Sequence, residues 1–242
     1  MLEKRAKWCH APTVVGEVCQ SCGVTLRATL FDMDGLLIDS EILWHKAEVE
    51  IFGRLGVPMS ARDARSTKGL FVDEVVAYWY ALYPWRGTPL SDVSQELLTR
   101  VGDLVESEGR LMAGALRAID LASERGPVAL ASSTPVALIA RCLNHFDLAD
   151  RFVSIHSAQF EPFGKPHPGV FLTAAASLGV RPTRCLVFED SSAGVLAAKA
   201  ASMFVVAVPT PEDRDDPVFA IADLVLHSLV ELSPGWMDAQ FL

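Results

Sequence analysis

Two rhythms of apolar residues divide the chain. From about Ile42 to Leu111 they recur at helical spacing. "ILWHKAEVEIFGRLGV" carries this pattern to Gly56 and "FVDEVVAYWYALYPW" to Pro84. "SDVSQELLTRVGDLVESEG" carries it to Gly109, with Ser91 expected as the N-cap. Nothing in this span reads as a strand. Before it, "TLRATLFDMDG" is a buried apolar run that ends in a polar turn. After it, "PVALAS", "RFVSIHS", "RCLVFED", "MFVVAV" and "ADLVLH" read as strands. The segments "PVALIARCLNHF", "PGVFLTAAASLGV" and "SAGVLAAKAAS" read as helices between them. Strands alternating with helices predict a parallel sheet covered on both faces. The expected fold is α/β: an open, Rossmann-like parallel sheet built from 28–41 and 112–242, with a helical insertion at 42–111. Residues 1–27 differ in composition and stand apart.

Composition narrows the partners. Of 242 residues half are apolar, enough for a sizeable core, and the formal net charge of -9 argues against nucleic acid or an anionic membrane. No run of eighteen apolar residues predicts a membrane span. The opening "MLEKRAKWCHAPTVV" has basic residues without an apolar stretch behind them, so no secretory signal is expected. The five cysteines then read as reduced thiols or metal ligands in a cytoplasmic protein. Cys142 and Cys185 read as core residues. A monomer is expected.

The chemistry-bearing residues fall at strand ends, where open α/β sheets bind ligands. The first strand ends in Asp32-Met33-Asp34-Gly35, the second in Ser132-Ser133-Thr134, and "CLVF" in Glu189-Asp190-Ser191, while Lys165 lies between the last two. Each alone has a bland reading: acidic residues and serines cap helices, and a lysine is solvated. Their succession at strand ends does not. Asp32, Glu189 and Asp190 make a hard-oxygen site suited to Mg²⁺, which binds through one or two carboxylates plus substrate phosphate. Asp32 could attack phosphorus and form an aspartyl-phosphate, with Asp34 protonating the leaving oxygen and later deprotonating water. Ser132, nearby amides and Lys165 would hold the phosphoryl oxygens.

Taken in order, "DMDGLLIDSE", "LASSTP", "GKPHPGVFL" and "VFEDSSAGVLAAKAA" resemble the four motifs of the haloacid dehalogenase-like hydrolases, over about Leu30 to Leu232. The helical insertion is similar to the small cap of the subfamily that includes β-phosphoglucomutase. "VVAYWYALYPW" and "VPTPEDRDDPVFAIADLVLHSLVEL" resemble bacterial hexitol and 2-deoxyglucose-6-phosphate phosphatases. The resemblance implies Asp32 as nucleophile and Asp34 as acid/base. It implies magnesium on Asp32, the main-chain carbonyl of Asp34 and Asp190, with Glu189 a neighbour or ligand. It implies phosphate on Ser132, Ser133 and Lys165. The implied activity is Mg²⁺-dependent hydrolysis of a small sugar or polyol phosphate, such as a hexose 6-phosphate. Its rivals are a phosphomutase, a metal-free dehalogenase, for which Asp34, Glu189 and Asp190 would be surplus, and a non-catalytic phosphate-binding regulator.

Some positions depart from the pattern. Mutases of the group carry a histidine where this chain has Trp44, with His45 one residue out of step. Gly169 replaces an aspartate, which is expected to affect local capping. Ser202 precedes Met203 where a glycine is usual, which hints at a different turn. By analogy "RSTKGLFVDE" reads the leaving group, with Gly69 allowing close approach and Arg65, Lys68 and Asp73 as polar contacts. Outside the family pattern, Cys9, His10, Cys19 and Cys22 offer ligands to a structural zinc, the alternative being a disordered or loosely packed tail.

Overall fold

A computed structural model describes residues 25–60, 67 and 70–241. Six parallel strands form one sheet in the order β3-β2-β1-β4-β5-β6. They are β1 (Ala28–Phe31), β2 (Val128–Ser132), β3 (Ser154–Ser157), β4 (Cys185–Glu189), β5 (Phe204–Ala207) and β6 (Leu224–Val225). The central strand pairs on both sides: Leu30 lies opposite Ala129 of β2 and Val187 of β4.

Side chains alternate between the two faces of a strand, and both faces here are apolar. Leu30, Ala131, Val187 and Val205 pack with Val170, Phe171 and Val195 on one side. Phe31, Leu130, Phe188 and Val206 pack with Ile119, Ile139 and Leu143 on the other. The rings of Phe31 and Phe188 stack there with centroids 4.9 Å apart. This second cluster runs on into the insertion, through Leu43, Phe52, Trp79 and Leu97.

Among the described residues the insertion holds three helices: α1 (Glu41–Arg54), α2 (Val72–Leu82) and α3 (Leu90–Glu108). The two chain segments joining it to the sheet are pinned side by side. Ile38 bridges Leu111, Asp39 N–H donates to the Arg110 carbonyl at 2.9 Å, and Met112 N–H donates to that of Leu37 at 2.9 Å. Five further helices follow: α4 (Ala115–Ser123), α5 (Val136–His145), α6 (Gly169–Ser177), α7 (Ser192–Ala200) and α8 (Pro234–Phe241). Helix α4 was not expected, although its buried Ala118, Ile119 and Ala122 recur at helical spacing. Helix α8 was also unexpected: it is short and buries only Met237.

Ser91 is not the N-cap of α3. The helix begins at Leu90 with Pro89 in the cap position, and the Ser91 hydroxyl donates to Asp92 instead. At position 169 a Cβ would lie 2.6 Å from Glu161 Oε2, and the Gly169 N–H donates to His167 Nδ1 at 3.2 Å. The imidazole thus takes the N–H that a capping side chain would otherwise accept. Ser202 adopts φ +60, so the turn before β5 keeps the left-handed backbone of the usual glycine. Cys142 and Cys185 are buried free thiols, with burial pushing them up to about 12 and about 11. Cys9, His10, Cys19 and Cys22 lie outside the described residues, as do Arg65, Lys68 and Gly69. No helix among the described residues is long and apolar enough to cross a membrane.

Candidate active site

A cleft opens between the carboxyl ends of the strands and the insertion. Asp32, Asp34, Ser132, Ser133, Lys165 and Asp190 all line it. Glu189 lies directly beneath, fully buried.

Asp32 is placed by the last rung of β1, its N–H donating to the Phe188 carbonyl at 3.1 Å. Lys165 is 4% exposed and reaches up from the loop before α6. Its ammonium donates to Asp32 Oδ1 at 2.5 Å, to Glu189 Oε1 at 2.6 Å and to the Ala131 carbonyl at 3.1 Å. It also sits 4.8 Å from the centre of the Phe171 ring. Burial opposes the charge of Lys165, but Asp32 and Glu189 outweigh it and raise the pKa. Asp32 is held well above the ordinary carboxylate range, by burial first. Lys165 pulls the other way, and Glu189, Asp190 and Asp34 push upward.

Glu189 is committed on both oxygens. Oε1 accepts from Lys165, and Oε2 accepts from the N–H and the hydroxyl of Ser191, both at 3.0 Å. In this arrangement it is the counter-charge that aims Lys165. Ser191 caps α7 by accepting from the Gly194 N–H at 3.0 Å.

Asp34 comes next, in a tight turn. Its Oδ1 accepts from the Ser40 hydroxyl at 2.6 Å and the Trp44 indole at 3.2 Å, and its Oδ2 accepts from the Thr134 hydroxyl at 2.6 Å. Three donors on one carboxylate fix its direction. Gly35, at φ +75, completes the turn, and a Cβ there would collide with Asp190 Oδ2. Only a residue without a side chain lets Asp190 stand so close.

The hydroxyls differ. Ser132 Oγ accepts the N–H of Thr134 at 3.1 Å, whereas Ser133 Oγ has no partner among the described residues. An unpartnered buried hydroxyl on the cleft wall suits an incoming phosphoryl oxygen. Asp73 is exposed at the start of α2 and does not line the cleft, contrary to the expectation for it. Thr67 and Leu70 line it instead.

The donor set fits a hard dication. Oxygens of Asp32, Glu189 and Asp190 lie within 4.8 Å of one another. With Glu189 engaged by Lys165, Asp32 and Asp190 are the carboxylates suited to Mg²⁺, whose charge would keep Asp32 ionised. The side chain of Asp34 is committed to Ser40, Trp44 and Thr134. Sequence reasoning missed the roles of Ser40, Trp44 and Thr134. It also passed over Glu48, which lines the cleft from α1. Its signal was a charged residue on a stripe that otherwise reads Leu43, Ala47, Ile51 and Phe52, all buried.

An open parallel sheet with an aspartate pair at the end of its central strand, a buried lysine and an acidic cluster defines a hydrolase of phosphoric monoesters. The haloacid dehalogenase-like hydrolase family model matches residues 26–202, and the chain belongs to that family. It is 45% identical to hexitol phosphatase B of Escherichia coli over 86% of this chain and 95% of that one. It is 29% identical to β-phosphoglucomutase of Bacillus subtilis, over 86% and 92%. Among solved structures it matches CbbY of Rhodobacter sphaeroides in complex with phosphate. That match has a TM-score of 0.78 and 28% identity, over 86% of this chain and 97% of that one.

Proposed function

We propose that the protein is a Mg²⁺-dependent phosphatase of a small sugar or polyol phosphate, of the hexitol or hexose 6-phosphate kind. The observation that carries this reading is the convergence of Asp32, Lys165 and Asp190 on one cleft, with Asp34 held beside them. The similarity to hexitol phosphatase B supports the substrate class.

Asp32 Oδ1 is engaged by Lys165, and the other oxygen of Asp32 attacks phosphorus. The bond from phosphorus to the leaving oxygen breaks as Asp34 delivers a proton to that oxygen. Lys165, Ser133 and backbone amides at the end of β2 hold the charge on the phosphoryl oxygens. Asp34 then takes a proton from water, which attacks the aspartyl-phosphate and restores the Asp32 carboxylate. Bound Mg²⁺, held by Asp32 and Asp190, would offset the negative charge of carboxylates and phosphate. Residues 42–111 serve as a cap that shields the intermediate and reads the leaving group. Where a mutase would place a histidine, Trp44 offers one indole donor that Asp34 already accepts.

The test is phosphate release from a panel of hexitol and hexose phosphates, with Mg²⁺ and with EDTA. Release with the metal and none with the chelator is expected. Interconversion of isomers without release would replace this reading by a mutase.

A further inference from the structure

We propose that the carboxyl of Glu48 binds a hydroxyl of the leaving alcohol and so selects polyhydroxylated substrates. This rests on the phosphatase reading above. Glu48 lies one helical turn beyond Trp44 on α1, which puts the two side chains on the same face of the helix. Trp44 touches Asp34, the proposed acid for the leaving oxygen. Both residues line the cleft, Trp44 in contact with the acid and Glu48 one helical turn further along α1. It is 5% exposed, and its Oε2 has no hydrogen-bond partner among the described residues. Leu70, Val72 and Val75 give the same cleft apolar lining.

A buried carboxyl oxygen without a partner costs stability, and none of the described residues supplies one to Glu48 Oε2. The cost becomes intelligible if a ligand supplies the missing partner. Burial raises Glu48 to about 8, so near neutrality it carries a proton. A neutral carboxyl offers one donor and one acceptor. An alcohol hydroxyl offers the same pair, whereas an aryl or alkyl leaving group offers neither.

The test compares kcat/KM for sorbitol 6-phosphate and phenyl phosphate in the wild type, Glu48→Met and Glu48→Gln. The ratio of the two values should fall about tenfold or more in Glu48→Met, because a buried hydroxyl loses its partner. It should fall about threefold in Glu48→Gln, which keeps the shape and exchanges the acid proton for an amide. If Glu48→Met does not fold, Glu48→Gln decides. A ratio unchanged in the variants that fold overturns the assignment, even with phosphatase activity intact. A wild type that hydrolyses neither ester overturns the parent reading and this one together. One that hydrolyses phenyl phosphate alone removes Glu48 as a hydroxyl reader and leaves the chemistry standing.

Discussion

A Cβ on Gly194 would collide with Oε1 of Glu189. That oxygen is the one that accepts from Lys165 at 2.6 Å. The first turn of α7 thus backs directly onto the carboxylate that aims the lysine, and only glycine leaves the room. Gly194→Ala forces Glu189 or the helix to move. Overpacking of this kind costs about 1–3 kcal/mol. Thermal melts should show that loss, and phosphate release should fall with it, because a shifted Glu189 lets Lys165 drift from Asp32. An alanine variant with wild-type turnover would mean that the Glu189–Lys165 pair is not needed for alignment.

Lys165 holds two buried carboxylates, Asp32 and Glu189. Lys165→Met leaves both without their cation, and breaking a buried pair from one side costs about 3–5 kcal/mol. Adding Glu189→Gln removes one of the stranded charges. The double variant should recover part of the stability in a urea melt and none of the turnover, since the phosphoryl oxygens still lack their ammonium. Recovery of activity along with stability would make Lys165 a purely structural residue.

The three donors on Asp34 come from three elements: Ser40 ahead of α1, Trp44 within it, and Thr134 beyond β2. Trp44→Phe and Thr134→Val each remove one donor and keep most of the volume. Each such hydrogen bond is worth about 0.5–1.5 kcal/mol, so kcat should fall by about threefold to tenfold in either variant. Asp32→Asn should abolish turnover, and Asp34→Asn should let a phosphorylated enzyme accumulate, visible in an intact mass spectrum. Full activity in both donor variants would mean that Asp34 needs no orientation.

The sheet and its strand-end residues were legible because strand ends are marked twice, by the stop of an apolar run and by the polar residues at that stop. Asp32, Ser132 and Glu189 each stand at or just after such a stop. Lys165 could be placed in order, but not in space: nothing in a separation of 24 residues says that it meets Glu189 on one oxygen. For that reason Glu189 read as a neighbour or ligand of the metal, while the structure commits it to Lys165 and Ser191. Ser91 misled because a serine ahead of a helical pattern is a good cap, yet the helix starts one residue earlier, at Leu90. Glu48 was hidden by its own type. A glutamate within a helix reads as a solvated charge, and only its company on the buried stripe shows otherwise.

Glu48 also makes stability depend on pH. Its folded value of about 8 lies above the ordinary 4.5, so the folded protein holds the proton more tightly than the unfolded chain. Below pH 4.5 both states are protonated and the contribution is fully present. Between 4.5 and about 8 the unfolded chain has released the proton and the folded protein has not. Stability then falls as pH rises, by about 1.4 kcal/mol per pH unit at most from this group. The groups sharing the cleft with it are Glu41 and His45 on its own helix, and Asp32, Asp34, Lys165 and Asp190 across it. They remain in Glu48→Gln and largely cancel in a comparison. Glutamine has no proton to release, so the variant should gain on the wild type steadily across the window. The gap at its upper end should be on the order of a few kcal/mol. Urea melts of both proteins between pH 4.5 and 8 check this. A difference that stays flat with pH would mean that Glu48 ionises in the folded state as readily as in water, with a counter-charge or solvent that its burial does not reveal.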